Sequence, residues 1–212
     1  GQSCPRRENR LSVTLTLIAI TCAVSFVALN KPKMIDALIL WPPAVVRNNE
    51  YYRLLTYGLI HADFPHLLFN MITLYFFGRV MESFYNAVMG DFGFAFFYVL
   101  GLLASILPTY LKHKDDANYR SLGASGAVSA VLFAFILFQP WALIYVFFLP
   151  VPAIIYAVLY VGYTIYSERR GGDNINHSAH LWGAAYGIIF TLVMEPRVFS
   201  VFLDALFHPG IG

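Results

Sequence analysis

The chain has 212 residues, of which 58% are hydrophobic, 17% are aromatic and only 12% are charged, and its formal net charge is +2. An ordinary soluble domain carries roughly 25% charged residues. The composition therefore excludes a soluble globular core and indicates one polytopic membrane domain, with no nucleic-acid partner. Cys4 lies in a polar tail and Cys22 in an apolar run, so no structural disulfide is predicted.

Long apolar runs predict an all-α bundle of six transmembrane helices. A basic leader over residues 1–10, with Arg6, Arg7 and Arg10, precedes the first run, which is too long for a removable signal peptide. The predicted spans are 11–29, 65–84, 92–111, 122–138, 150–167 and 178–194. The domain is thus expected at 11–195, with a short C-terminal tail at 196–212.

Two of the connections have distinctive compositions. Residues 30–60 contain Trp41, Pro42 and Pro43, which favours a connection lying in the membrane interface. Between the fourth and fifth spans, prolines at 140, 150 and 152 are expected to mark the turn.

Polar residues open every even-numbered span. His66 and Asn70 open the second, Ser125 the fourth and His180 the sixth, with His61 and Glu82 flanking the first group. Because even-numbered spans cross in the same direction, these groups should begin at the same face and at similar depth. Polar groups inside the membrane are costly, so a shared functional site is the preferred interpretation.

Each group also has a purely structural interpretation. His66 and Asn70 share one helix face and could hold the bundle together by interhelical hydrogen bonds. Residues 123–126, Gly-Ala-Ser-Gly, could be a small-residue packing motif. Gly183 and Gly187 would let the sixth span press against the fourth and bring His180 toward Ser125. The combination of these polar groups and glycines points to a shared functional site more specifically than any one of them does.

In this combination the chain resembles the rhomboid intramembrane serine proteases, over about residues 11–195. The resemblance rests on a GxSG motif, an AHxxGxxxG motif and an HxxxN motif, together with His61 and Glu82. It implies that Ser125 is the nucleophile and His180 the general base. It also implies that His66 and Asn70 donate hydrogen bonds to the oxyanion, joined by the Ser125 backbone N–H.

The chain departs from the family pattern at two places. The usual Trp-Arg pair of the first loop is Tyr52-Arg53 here. Four residues after the nucleophile many members have a tyrosine stacked on the histidine, whereas this chain has Ser129. We expect the Ser129 hydroxyl to hold His180, directly or through water, with Trp182 or Tyr186 as the alternative partner.

The chemistry of these residue types is consistent with hydrolysis. A serine hydroxyl is a weak nucleophile until a base takes its proton, and histidine titrates near operating pH. The nearest carboxylate in sequence, Asp173, lies seven residues before His180 in a loop, so a dyad is favoured over a triad. Hydrolysis also needs water, so the spans must enclose a wet cavity lined by the irregular backbone before Ser125.

The resemblance implies cleavage of transmembrane-protein substrates within or beside their helices in the lipid bilayer. It implies a small residue at the cut and no metal or organic cofactor. We expect a multi-pass protein of a bacterial inner membrane. The three leading arginines favour a cytoplasmic N-terminus.

Three other functions are alternatives to a serine protease. A metal enzyme could use His61, His66, His177 and His180 with Asp63 or Glu82, although no HExxH motif is present. An inactive rhomboid-like module could bind transmembrane helices without cutting them, although both Ser125 and His180 are intact. A transporter is disfavoured because the chain is short and shows no repeated half.

Overall fold

The computed structural model describes residues 12–146, 148–172 and 175–208, which are mostly helical. The basic leader, Cys4, Asp173 and residues 209–212 lie outside the described residues. The helices are α1 Val13–Leu29, α2 Pro32–Leu38, α3 Pro42–Asn48, α4 Arg53–Thr56, α5 Phe64–Thr73, α6 Arg79–Met89, α7 Gly93–Lys112, α8 Ser125–Phe138, α9 Ala153–Arg170, α10 His177–Met194 and α11 Arg197–Phe207. A 3₁₀ turn covers Tyr57–Leu59, and a π-helical turn, Leu74–Gly78, joins α5 to α6.

Six helical segments occupy the positions of the predicted spans: α1, the continuous α5–α6 segment, α7, α8, α9 and α10. Within the described residues, α7 is the one helix that is long and apolar enough to cross a membrane by itself. A second results if α10 and α11 are counted as one bent span. At about 1.5 Å per residue, the 14 residues of α8 extend for only ~21 Å. The count of six spans stays a prediction.

Helix α8 forms the centre of the bundle. Every residue from Gly126 to Leu137 on this helix is buried, as expected for a helix that is apolar on all sides. Helix α10 packs directly on α8 through Gly183 and Gly187. A Cβ atom at either glycine would collide with α8 backbone, at the carbonyl groups of Gly126 and Ala130 respectively. The two backbones therefore touch, as the glycine spacing predicted.

The connection between α8 and α9 adds a short β-hairpin that was not predicted to a fold that is otherwise mostly helical, as expected. Strand β1, Leu143–Val146, pairs with the antiparallel strand β2, Leu149–Pro152. The predicted fifth span at 150–167 therefore begins in a strand, and its helix runs over Ala153–Arg170 instead. Pro150 and Pro152 explain the difference, because proline disrupts a helix interior but is tolerated on a strand whose N–H side is unpaired.

The segment predicted as a short C-terminal tail contains a helix. Helix α11 follows α10 at an angle of 115°, immediately after Pro196. The indole Nε1 of Trp141 donates to the Leu206 carbonyl at 3.2 Å, which ties α11 to the segment before β1. This tertiary contact could not be seen in the apolar pattern, which ends at the proline.

Two charged side chains organise the first part of the chain. The buried guanidinium of Arg53 donates from Nη1 to the carbonyls of Asp36 (2.7 Å) and Ile39 (2.8 Å), which holds the 30–60 connection in a compact fold. Glu82 accepts hydrogen bonds from the Ser12 hydroxyl (2.7 Å) and the Val13 amide (2.7 Å). Glu82 thus caps the N-terminus of α1, a position where negative charge is favourable.

Candidate active site

Ser125 is the first residue of α8, three residues later than the predicted start of the fourth span. The delay is caused by Gly123, whose φ of 111° suits glycine and interrupts the helical backbone. A Cβ atom at this position would also lie 2.7 Å from Cε1 of His66. Glycine therefore permits both the turn before Ser125 and the close approach of the His66 ring.

The Ser125 hydroxyl contacts the imidazole of His180. The distance between Ser125 Oγ and His180 Nε2 is 2.7 Å, within the range of a hydrogen bond. His180 lies in the first turn of α10 and Ser125 in the first turn of α8, and these helices are held together by the glycine contacts described above. Backbone-to-backbone helix packing thus brings together two side chains that are 55 positions apart in the sequence.

These side chains border a cavity of about 970 Å³. His66, Ser125 and His180 all line it, so the structure brings together one residue from each polar group that the sequence singled out. Further polar and charged residues complete the wall: Asp63, Thr109, Lys112, His113, Asn118, Tyr119, Arg120, Ser121, Glu168, Asn176 and Ser178. Such a wall is suited to holding water beside the serine hydroxyl.

The remaining predicted oxyanion donor, Asn70, is placed differently. Asp63 caps α5 by accepting from the His66 amide at 2.7 Å, which fixes the turn that carries His66. Asn70 lies one turn further along and is buried, and its Nδ2 donates to the His66 carbonyl at 3.0 Å. Asn70 is not among the residues that line the cavity. This bond uses one of the two N–H donors of the Asn70 amide, so the other can donate to a second acceptor.

His61 anchors the loop before Ser125, a role that the sequence did not reveal. The Ser25 hydroxyl donates to the Leu59 carbonyl at 2.8 Å, so the 3.0 Å contact between His61 Nδ1 and Ser25 Oγ requires Nδ1 to carry the proton. His61 Nε2 then accepts from the Ala124 amide at 3.4 Å. Complete burial of His61 lowers its pKa, which keeps Nε2 free of a proton and able to accept.

Asn176 is a structural residue of the site that was not predicted from the sequence. Its Oδ1 caps α10 by accepting from the Ala179 amide at 2.9 Å and also accepts from the Thr109 hydroxyl at 3.3 Å. Its Nδ2 donates to the Ser121 hydroxyl at 3.2 Å. Asn176 therefore connects the start of α10, the end of α7 and the loop before α8. An asparagine preceding an apolar helix was the available sequence signal.

The surroundings of Ser129 differ from our expectation. The Ser129 hydroxyl lies 2.6 Å from the hydroxyl of Tyr160, and the Tyr160 ring is stacked on the His180 imidazole. Tyr186 points elsewhere: its hydroxyl donates to the Phe97 carbonyl at 3.0 Å. Trp182 is half exposed. The sequence analysis missed Tyr160 because it lies on α9, whose rotation about its own axis cannot be derived from composition.

The geometry does not favour the metal-enzyme alternative. Within the described ranges, no group of three or more His, Cys, Asp or Glu side chains is placed to hold a metal ion. Two of the candidate ligands are engaged elsewhere, since His61 bonds Ser25 and the Ala124 amide while Glu82 caps α1.

Comparison with known proteins identifies relatives across most of the chain. Residues 48–197 match the rhomboid domain model. The chain is 33% identical over 155 residues to RHOMBOID-like protein 12, mitochondrial, of Arabidopsis thaliana, covering 68% of this chain and 46% of that protein. It is 31% identical over 134 residues to the putative rhomboid protease YdcA of Bacillus subtilis, covering 58% of this chain and 63% of the relative.

A third relative is the rhomboid protease GlpG of Enterobacter sp., which is 25% identical over 128 residues, 59% of this chain and 43% of that protein. The matched region thus spans less than two thirds of the length of each of these relatives. The domain match extends from the first loop to the end of α10 and includes His66, Asn70, Ser125 and His180. The resemblance found in the motifs is therefore confirmed, and the chain belongs to the rhomboid family.

Proposed function

We propose that this chain is an intramembrane serine endopeptidase that hydrolyses peptide bonds within or next to the transmembrane helices of its substrates. The main support is the 2.7 Å contact between Ser125 Oγ and His180 Nε2 at the wall of a polar cavity. In this proposal the six helical segments at the predicted span positions cross the membrane. The Ser125–His180 contact then lies in the same membrane as the transmembrane helices of the substrates.

The proposed mechanism begins with transfer of the Ser125 hydroxyl proton to His180 Nε2 as Oγ attacks the scissile carbonyl. The tetrahedral oxyanion accepts from the Ser125 backbone N–H, at the N-terminus of α8, and from His66 and Asn70. His180 then protonates the leaving amine. His180 then takes a proton from a cavity water as the water oxygen attacks the acyl carbonyl. It gives this proton to Ser125 Oγ when the ester bond breaks and the new carboxyl end of the substrate leaves.

The described network supports this division of roles. The Ala124 amide is already bonded to His61, which leaves the Ser125 amide at the start of α8 as the next donor. His66 packs against Gly123 and so lies beside the same turn. Asn70 Nδ2 donates one of its N–H groups to the His66 carbonyl. In the proposal its other N–H is the one that reaches the oxyanion.

The first test is cleavage of a panel of transmembrane substrates by the protein in proteoliposomes. Ser125→Ala and His180→Ala should abolish cleavage and labelling by a fluorophosphonate probe, because the hydroxyl is lost or stays protonated. Ser200→Ala on exposed α11 is the matched control and should behave as wild type. Labelling that persists in Ser125→Ala contradicts the nucleophile assignment. A wild type that binds the substrates but neither cuts them nor reacts supports the inactive helix-binding alternative.

The oxyanion assignment has its own test. His66→Ala and Asn70→Ala should each lower kcat by about 10–10³-fold with little change in KM, because these contacts strengthen in the transition state. The comparison variant is Thr73→Ala, which changes a partly exposed side chain at the end of the same helix. Wild-type kcat in both variants would leave the two residues with a structural role only.

We also propose that the N-terminus and the cavity lie on opposite sides of the membrane, with the N-terminus in the cytoplasm of a bacterial cell. The support is that α1 begins beside Glu82 on α6, whereas the cavity lies at the start of α5. A cysteine-accessibility assay with a single cysteine near residue 12 checks the orientation. Modification from the periplasmic side would contradict it.

A further inference from the structure

The His180 imidazole contacts one aromatic ring from α9 and one from its own helix, α10. The Tyr160 ring lies 6.1 Å from the His180 imidazole, centroid to centroid, with 26° between the planes. The next histidine on α10, His177, meets His180 edge-on at 6.1 Å and meets the Tyr163 ring edge-on at 6.0 Å. Residues 156, 160 and 163 are four and three apart, so these tyrosines occupy one face of α9.

Tyr160 is itself held from several sides. Its hydroxyl lies 2.6 Å from Ser129 Oγ, and its ring contacts Phe133 of α8 (5.5 Å) and Tyr156 of α9 (5.7 Å). Ser129 is buried and one turn after Ser125. The Tyr160 ring is therefore held by contacts with α8, the helix that carries Ser125, and by Tyr156 of its own helix, α9.

We propose that Tyr160 is the positioning residue for His180: its ring, locked by the Ser129 hydroxyl, holds the imidazole plane in the orientation that presents Nε2 to Ser125. This inference rests on the proposed function. Tyr160 does not touch the reacting atoms and acts through His180. The small Ser129 side chain leaves space beside α8, and the Tyr160 ring of α9 fills that space.

The geometry suits this role. Offset stacked rings are favourable at centroid distances of about 4.5–7 Å, so the 6.1 Å contact restrains ring rotation without blocking Nε2. The Ser129–Tyr160 bond keeps the tyrosine from turning away. Misorientation of a catalytic group by about 1 Å can cost on the order of 10² in rate, which makes such a restraint valuable.

The decisive experiment moves the ring from one helix to the other. Tyr160→Leu should lower kcat and the fluorophosphonate labelling rate by about 10-fold or more, with KM little changed, because substrate contacts are intact. The double variant Tyr160→Leu with Ser129→Tyr supplies a ring from α8 and should restore most of the lost rate. Tyr166→Leu, a half-exposed position on α9, is the matched control and should act as wild type.

Two conservative substitutions distinguish the role of the Tyr160 ring from the role of its hydroxyl. Tyr160→Phe and Ser129→Ala each remove one side of the same hydrogen bond, so each should slow labelling roughly five-fold and the pair no further. If Tyr160→Leu fails to fold, these two variants carry the test alone. Wild-type rates in folded Tyr160→Leu, or additive losses in the conservative pair, would overturn the proposal. A Tyr160→Leu loss that the relocated ring fails to restore would also overturn it.

A spectroscopic measurement keeps this inference distinct from the proposed function. The ring-current shift of the His180 imidazole protons should be present in wild type and Tyr160→Phe and lost in Tyr160→Leu. If wild type neither cleaves nor labels, the proposed function fails while this shift still tests the contact. Unchanged His180 resonances in Tyr160→Leu would refute the contact whatever the activity.

Discussion

The contact of α10 with α8 and its contact with α9 hold the same histidine in different ways. Against α8 the contact is made by glycines, so the two backbones touch and the helix separation is fixed. Against α9 the contact is made by tyrosine rings, while the buried residues of α9 are small: Ala153, Ala157, Thr164 and Ser167. The backbone contact sets the distance from Ser125 to His180, and the side-chain contact sets the orientation of the imidazole.

This difference indicates which part of the site tolerates change. A backbone contact has no rotamers through which to relax, so any added atom must move a helix. A ring contact can be supplied from another position if the space is kept. In this chain the Ser129–Tyr160 pair fills the space beside the histidine.

The largest effect should come from breaking the backbone contact. Gly183→Ala places a methyl group against the Gly126 carbonyl, which forces α10 away from α8 and lengthens the Ser125–His180 contact. We expect cleavage to fall by about 10²-fold or more and stability by about 1–3 kcal/mol, measured by substrate cleavage and thermal unfolding in detergent.

Gly162→Ala on α9 is the matched control, because nothing lies within 4 Å of the added Cβ. It should leave cleavage unchanged and raise stability by up to about 1 kcal/mol through helix propensity. Equal losses in the two variants would show that the glycine contact has no special role.

A smaller effect should follow from overfilling the ring contact. Ser129→Tyr alone puts a second ring where Tyr160 already lies, so we expect about 10-fold slower cleavage and a lower melting temperature. Wild-type activity in the single variant would mean that α9 moves aside easily and that the ring contact is not tight.

The smallest effect concerns pH. Burial lowers the pKa of His61 in the folded protein, whereas the unfolded chain takes up the proton near the ordinary value of about 6.5. The unfolded state therefore binds more protons as pH falls below that value, and stability is lost in this direction. We expect the melting temperature to drop between pH 7 and pH 5.

His61→Asn is the comparison for this pH dependence, because the amide cannot titrate. Its melting temperature should be lower than wild type at pH 7, because the contact to the Ala124 amide is weakened, but it should fall less on acidification. A pH slope identical to that of wild type would assign the acid sensitivity to other groups.

Much of the site could be predicted from the sequence because polar residues in apolar runs are conspicuous. Ser125, His180 and His66 were found in this way, and the structure places all three at one cavity. Tyr160 and Asn176 were not found, and His61 was singled out without its bond to the Ala124 amide. A tyrosine in an apolar helix gives no signal in the sequence. The role of His61 depends on the Ala124 amide and that of Asn176 on the Thr109 and Ser121 hydroxyls, which are far away in the sequence and are brought near only by the folded chain.

The fold, like the site, has features that the sequence determined and features that it did not. Apolar run length and the Gly183/Gly187 spacing by themselves determined the helical character and the α8–α10 contact, since both follow from local periodicity. Only the tertiary structure decided the β1–β2 hairpin, the turn into α11 and the ring beside His180. Each of these depends on how one segment is rotated or bent against another, a quantity set by the packing of the whole bundle rather than by the sequence of the segment.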